Sequence, residues 1–354
     1  MGPILTLLDM GKTVLVTGGS GYIASWIVKY LLEEGHNVHA TVRSLQSEEK
    51  VAHLKGLENL PGKLSLFEAD LLKDGSFDEA MKGCEIVIHT ASPFFIKGLK
   101  DAQKQLIDPA LQGTRNVLNT ANRCSDVKRV VLTSSVAAIM GDNVDALQKS
   151  NQTMDESDWN RSSSLKHQPY SYSKTVAEEE AWKIAKAQNR WQLVVINPAF
   201  VMGPSLSRRM DGTSVQFMHD LVGGPLKSGV PDLTFGIVDV RDVARAHVLA
   251  AFKADASGRH LLCADTKTFV ELANILKERY GKTLPLPRGQ LPTFMVYLIG
   301  PLFGLSWDFL KKNLGVRYKL DNSRSIQDLG IVYHPIADTL CDHVEQMKEA
   351  GIIG

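Results

Sequence analysis

Between Thr13 and Pro198, short runs of β-branched and aliphatic residues alternate with longer segments of helical period. The runs are Thr13–Thr17, Asn37–Val42, Leu64–Phe67, Glu85–His89, Arg129–Thr133 and Gln192–Asn197. Their near-continuous Val, Ile and Leu content, in place of strict apolar and polar alternation, marks strands buried on both faces. Such strands, each joined to the next by a helix, satisfy their hydrogen bonds as a parallel sheet with helices packed on both sides. The expected fold class is therefore α/β, a doubly wound parallel sheet. After Pro198 the rhythm loosens into stretches rich in Gly, Pro and Ser, with helical patterns at 240–253, 269–280 and 336–347. We expect a sheet domain over 12–204, rejoined by 236–264, and a smaller, mostly helical C-terminal substrate lobe from 205–235 and 265–354.

The first strand runs into Gly18-Gly19-Ser20-Gly21-Tyr22-Ile23-Ala24 and then a helix that Gly35 can stop. A glycine turn between a strand and a helix is a phosphate cradle. Gly18 permits the tight turn, Gly21 lets the backbone approach a pyrophosphate, and Ala24 keeps the helix close to the strand. The amides of Ser20, Tyr22 and Ile23 then face the phosphates with the positive end of the helix behind them. This makes the sheet Rossmann-type and implies a dinucleotide.

The end of the second strand, Thr41-Val42-Arg43-Ser44, lacks the acid that would hold an unphosphorylated ribose. Arg43 can pair with a 2′-phosphate, and Lys50 can add a second cation or lie on a solvated helix face. The expected cofactor is NADP(H). Asp70 and Leu71, past the third strand, can meet the adenine or cap the next helix. Thr90, Ala91 and Ser92, past the fourth, wall the cofactor cleft, because ligands lie beyond the carboxyl ends of such strands.

The fifth strand ends in Thr133-Ser134-Ser135, and 35 residues after Ser135 comes Tyr170-Ser171-Tyr172-Ser173-Lys174 at the head of a helix. Tyr170 and Lys174 share one helix face a turn apart. A free phenol, with pKa near 10, is a poor acid or base at neutral pH. An ammonium one turn away favours the phenolate and moves it toward useful proton transfer. Ser135 then binds the substrate oxygen, Tyr170 supplies its proton, and Lys174 also reaches the cofactor ribose. Tyr172 lacks a lysine four residues on and is left to packing.

These features, with Asn197-Pro198-Ala199-Phe200-Val201-Met202-Gly203-Pro204, resemble the extended short-chain dehydrogenase/reductases. Within them the chain looks like the group of dihydroflavonol reductases, cinnamoyl-CoA reductases and microbial aldehyde/ketone reductases. The resemblance runs from about Lys12 through Val238–Ala244 and Asn322–Ser325 to the C-terminus. It implies that Ser135, Tyr170 and Lys174 form the catalytic triad, that Arg43 and Lys50 contact the NADP phosphate, and that Pro198 to Val201 meet the nicotinamide end. Two departures bear on substrate. The stretch His167-Gln168-Pro169-Tyr170-Ser171-Tyr172 replaces the Asn-Trp-Tyr-Cys-Tyr of cinnamoyl-CoA reductases, which weighs against thioesters. Met140 stands where dihydroflavonol reductases carry Asn or Asp, which weighs against flavonoids. An aldehyde or ketone asks only for the triad and an apolar pocket, for which Phe94, Phe95, Met140, Phe200 and Met202 are candidates beside Ser135.

Other classes are excluded by composition and spacing. The 354 residues carry 40 Lys+Arg against 39 Asp+Glu, so no basic excess draws the chain to nucleic acid or an anionic membrane. The expected partner is a small carbonyl compound, and the chain itself a monomer or homodimer. The four cysteines, Cys84, Cys124, Cys263 and Cys341, form no C-x-x-C pair and read as reduced thiols of a cytoplasmic protein. Ten histidines without ligand spacing argue against a metal site. The apolar leader Met1–Met10 lacks the basic start of a signal peptide. Phe294–Leu305, broken by Gly300-Pro301, is too short to span a bilayer and suggests a buried or substrate-facing helix pair. Asp239 and Asp242 read as helix caps or lobe salt bridges, and Asp155–Trp159 resembles the family's loop before the tyrosine helix, with a solvated turn as the alternative.

Overall fold

A computed structural model describes residues 11–92 and 100–353. Along the chain its strands are β1 (Thr13–Thr17), β2 (Asn37–Val42), β3 (Lys63–Glu68), β4 (Ile86–His89), β5 (Arg129–Thr133), β6 (Thr153–Met154), β7 (Gln192–Pro198), β8 (Phe200–Met202), β9 (Thr234–Asp239), β10 (Gly258–Leu262), β11 (Asp265–Thr268) and β12 (Lys319–Leu320). Its helices are α1 (Tyr22–Glu33), α2 (Glu48–Lys55), α3 (Asp78–Met81), α4 (Asp108–Arg123), α5 (Pro169–Lys186), α6 (Thr213–Val222), α7 (Val240–Phe252), α8 (Phe269–Tyr280), α9 (Thr293–Ile299), α10 (Trp307–Asn313) and α11 (Ile336–Glu349). Seven strands form one parallel sheet in the order β10-β7-β5-β4-β1-β2-β3. The order reverses between β1 and β4, so the crevice beyond their carboxyl ends is where such a sheet takes a ligand.

Side chains alternate between two cores across this sheet. Val14, Val16, Ile88, Val131 and Val194 pack on one side with Ile27 and Leu31 of α1 and Val243 of α7. Leu15, Val87, Val130 and Val195 pack on the other with Val117 and Leu118 of α4 and Ala181 of α5. Each strand is thus covered twice, which is why its sequence is apolar throughout. The register sets Thr17 beside His89 and Thr133 beside Ile196, bringing the strand ends to one level.

Beyond Pro198 the chain adds a feature that helical patterning does not announce. β8, β9 and β11 form a second, three-stranded sheet, so the lobe is less helical than its sequence suggests. These strands are only three to six residues long, and Gly236 interrupts β9, which hides their period. Behind them Met202, Met218, Leu272, Leu276, Leu340 and Val344 form the lobe core.

The Phe294–Leu305 stretch is helical but not buried. Phe294, Leu298, Leu302 and Phe303 are 71–85% exposed, and the helix buries little besides Val296. A seven-residue helix followed by a tight Gly300–Phe303 turn has only one face to offer the lobe, and the remainder is left outside. No helix among the described residues is long and apolar enough to cross a membrane. The Met1–Met10 leader lies outside the described residues.

Candidate active site

The turn after β1 is built to admit phosphate oxygens. Gly18 sits at φ +66, and a Cβ there would come within 3.1 Å of the Ala91 Cα. A Cβ on Gly19 would meet the Ala40 side chain at 2.8 Å. The Gly19 amide donates to the Thr41 carbonyl and the Gly18 amide to Thr41 Oγ1, which pins the turn to β2. Gly21 is the N-cap of α1 and offers no side chain, so amides of the first turn remain for an incoming anion. On this geometry a dinucleotide fits the cradle. Thr17 Oγ1 accepts from the amides of Thr90 and Ala91 and pairs with His89 Nδ1 at 2.8 Å, tying the ends of β1 and β4 into one rim.

The remaining cofactor candidates take up several positions. Arg43 and Lys50 are both exposed, at the end of β2 and on α2. The Asp70 carboxylate accepts from the Leu72 amide at 2.9 Å, and the Asp70 amide donates to Ser76 Oγ, the capped-turn alternative for this acid. The Leu71 carbonyl is taken by Asn116. Pro198 is buried at the end of β7 and Val201 half-buried in β8.

Ser135 lies two residues past the end of β5 in extended backbone, and its Oγ accepts from the Ala137 amide at 3.1 Å. The same hydroxyl lies close enough to the Tyr170 phenol to favour its ionised form. Tyr170 is the second residue of α5, after Pro169, and is preceded by Gln168 in the left-handed region at φ +52. That strained conformation is held from its side chain. Gln168 Nε2 donates to Asp142 Oδ1 at 2.8 Å, and fully buried Asp142 also accepts from Asn313 and pairs with His167 Nε2 at 2.6 Å. The tyrosine is thus aimed by a rigid entry to its helix.

Lys174, one turn on, donates from Nζ to Ser92 Oγ at 3.2 Å and lies 6.0 Å from the centroid of the Tyr170 ring. Burial pushes the Lys174 ammonium down to about 8, against the pull of the Glu178 charge. Burial also pushes the Tyr170 phenol up to about 12, and the Ser135 hydroxyl offsets only part of that. Spacing alone suggests a lowered phenol. In this enclosed site desolvation is the larger effect on the phenol.

Beneath the three residues lies a buried network that the motifs do not reveal. Glu178, one turn past Lys174, accepts from Ser134 Oγ at 2.6 Å, Asn197 Nδ2 at 2.8 Å, Arg259 Nε at 2.6 Å and Trp182 Nε1 at 3.2 Å. Arg259, from β10, also donates to the carbonyls of Glu156 and Asp158 and stacks over Trp159, 4.1 Å from its ring. Asn197 donates to the Ser135 carbonyl as well. The ends of β5, β7 and β10 and the helix carrying Tyr170 therefore converge on one carboxylate. The signal available in sequence was an acid four residues beyond Lys174, on the face of α5 that already bore the tyrosine.

Of the apolar candidates, Phe200 is half-buried and packs edge-on to Phe217 with centroids 5.0 Å apart. Met140 and Met202 fill cores instead of lining a cleft. Met202 is fully buried among lobe residues and Met140 is 6% exposed in the main core. Phe94 and Phe95 lie outside the described residues. Asp239 caps α7 by accepting from the Arg241 amide, and Asp242 pairs with His334, both structural roles. Among the described residues no group of His, Cys, Asp or Glu could hold a metal ion, and all four cysteines are free.

Residues 14–264 match the model of the NAD dependent epimerase/dehydratase family. Cinnamoyl-CoA reductase CAD2 of Medicago truncatula is 39% identical over 353 residues, spanning 96% of this chain and 97% of that protein. Among solved structures, the NADPH complex of Gre2 from Candida albicans superposes with a TM-score of 0.79 at 30% identity, covering 96% of this chain and 99% of that one. The yeast methylglyoxal/isovaleraldehyde reductase Gre2, complexed with NADPH, gives 0.79 at 28% identity over 96% and 100%. With a sheet, glycine turn and family match that coincide over the same residues, the chain belongs to the NAD dependent epimerase/dehydratase family and is an oxidoreductase of its extended short-chain dehydrogenase/reductase branch.

Proposed function

We propose that the protein reduces an aldehyde or ketone to the alcohol, with NADPH as cofactor and Tyr170 as the proton donor. The observation that carries this reading is the enclosure of the Tyr170 phenol beside the Ser135 hydroxyl at the carboxyl edge of the sheet, with Lys174 one turn behind and 6.0 Å from the tyrosine ring. When bound, the nicotinamide supplies hydride to the carbonyl carbon. The Gly18–Gly21 turn holds the pyrophosphate, and Arg43 with Lys50 holds the 2′-phosphate. Ser135 Oγ donates to the carbonyl oxygen and fixes it beside Tyr170 Oη, which yields its proton as negative charge gathers on that oxygen. Lys174 supports this step with its positive charge and orients the ribose. Phe200 and its aromatic neighbours supply apolar surface on the lobe side.

NADPH consumption against a panel of aldehydes, ketones, dihydroflavonols and acyl-CoA thioesters tests the assignment. Turnover is expected with aldehydes or ketones. Thioester turnover alone would instead support a cinnamoyl-CoA type of reduction, as in the plant relative at 39% identity.

The site also sets a pH dependence. Lys174 keeps its proton below about 8 and loses it above, whereas Tyr170 stays protonated to about 12. At saturating NADPH and substrate, kcat for reduction should hold at neutral pH and fall as pH rises through about 8. A profile flat to the alkaline limit of stability would remove the charged Lys174 from the step.

A further inference from the structure

The loop between β8 and α6 leaves the lobe and crosses to the glycine turn. Its Gly203 carbonyl accepts from Tyr22 Oη at 2.6 Å and its Pro204 carbonyl from Trp26 Nε1 at 2.9 Å, both donors on α1. From the other side it is held by α11, where Gly203 N donates to His343 Nδ1 and Ser205 N to Gln346 Oε1. At the far end of the loop Arg209 Nη1 donates to the Ser20 carbonyl, inside the cradle itself, at 3.3 Å. The Arg209 side chain is only 25% exposed. Its charge also reaches α2, where burial first and Arg209 second push the His53 imidazole down. Asp211, 65% exposed, pairs with Arg209, and that pair, helped by Lys50, holds the Asp211 carboxyl below its usual range.

A guanidinium offers five donors in a planar fork suited to phosphate, and a single main-chain carbonyl at 3.3 Å uses little of that capacity. Asp211 occupies one edge through Nε and Nη2, leaving Nη1 directed at the turn. We propose that Arg209 is a phosphate-binding residue of the dinucleotide site, delivered by the lobe's own loop onto the cofactor opposite the glycine turn. This rests on the NADPH reading above. The ligand chemistry is a phosphate oxygen, either of the pyrophosphate or of the 2′-phosphate.

Dissociation constants measured by quenching of tryptophan fluorescence with NADPH, NADH and 2′-AMP test the proposal in Arg209→Ala, Arg209→Lys and Asp211→Asn. Wild-type protein that fails to bind NADPH would defeat the cofactor reading itself, separately from this one. Given wild-type binding, Arg209→Ala should weaken NADPH at least roughly tenfold, as expected for loss of a charge-assisted contact. Arg209→Lys should recover part of it. Equal loss for NADPH and NADH places Arg209 on the pyrophosphate, and loss confined to NADPH and 2′-AMP places it on the 2′-phosphate. If Arg209 merely braced its loop through Asp211, Asp211→Asn would reproduce the defect. Binding as tight as wild type, or tighter, is expected there instead. Unchanged affinity of Arg209→Ala for all three ligands overturns the proposal.

Discussion

Tyr170→Phe should lower kcat for carbonyl reduction by about 10²- to 10⁴-fold, the usual contribution of a positioned general acid, while NADPH affinity stays near wild type. The substitution removes one oxygen from a side chain whose ring remains enclosed, and Pro169 and the Gln168 anchor still start α5 correctly. Ser135 keeps its contact with the Ala137 amide and so stays oriented. What is lost is a proton held at Oη. The phenol's raised value of about 12 makes it a full donor at neutral pH. It remains below the roughly 15.7 of water, a guide to an alkoxide, so the proton still moves downhill once the carbonyl oxygen becomes an alkoxide. Steady-state kinetics together with cofactor titration give the answer. Turnover close to wild type in Tyr170→Phe would mean that the proton comes from elsewhere.

The second large effect is on stability. Glu178→Ala leaves the buried Arg259 guanidinium with main-chain carbonyls and Trp159 but no counter-charge, and strips the acceptor from Ser134 and Asn197. Breaking a buried ion pair from one side costs about 3–5 kcal/mol, because the surviving charge stays desolvated. Replacing both partners, as in Glu178→Leu with Arg259→Met, should recover much of that loss, since apolar groups of similar volume demand no partner. Chemical denaturation of the two single variants and the double variant provides the test. A loss under about 1 kcal/mol in Glu178→Ala would show that water reaches the pair, as it does for exposed ones. Because Asn197 also fixes the Ser135 carbonyl, the same variant should lose turnover at temperatures where it remains folded.

The strands of the main sheet were legible because burial on both faces leaves a dense apolar signature, and the glycine turn because backbone proximity admits nothing larger. Tyr170 and Lys174 were legible because a helix fixes the geometry of residues four apart. The Glu178–Arg259 pair was not, since its partners stand 81 residues apart and meet only when β10 joins the sheet. Arg209 is a sharper case, 189 residues from the carbonyl it touches, on a loop whose path no local pattern encodes. The Tyr170 phenol lies higher than the spacing to Lys174 suggests for a related reason. Sequence gives the neighbouring charge but not the depth of enclosure, and here enclosure is the larger effect. The same gap explains the Phe294–Leu305 stretch, where apolar content suggested a buried or substrate-facing pair and the short helix had one inward face to bury.

The seam between α1 and the lobe loop is made with Tyr22 and Trp26 as donors and only the main-chain carbonyls of Gly203 and Pro204 as acceptors. Main-chain acceptors are present whatever the side chains are. The one strict demand on the lobe's side of these two bonds is Gly203, at φ +115, where a Cβ would press to 3.1 Å from Asp239 Oδ1. The joint is therefore lopsided. The α1 side depends on two aromatic donors, while the loop side asks only for a backbone and for glycine at 203, so these two bonds would survive most side-chain replacements along the loop.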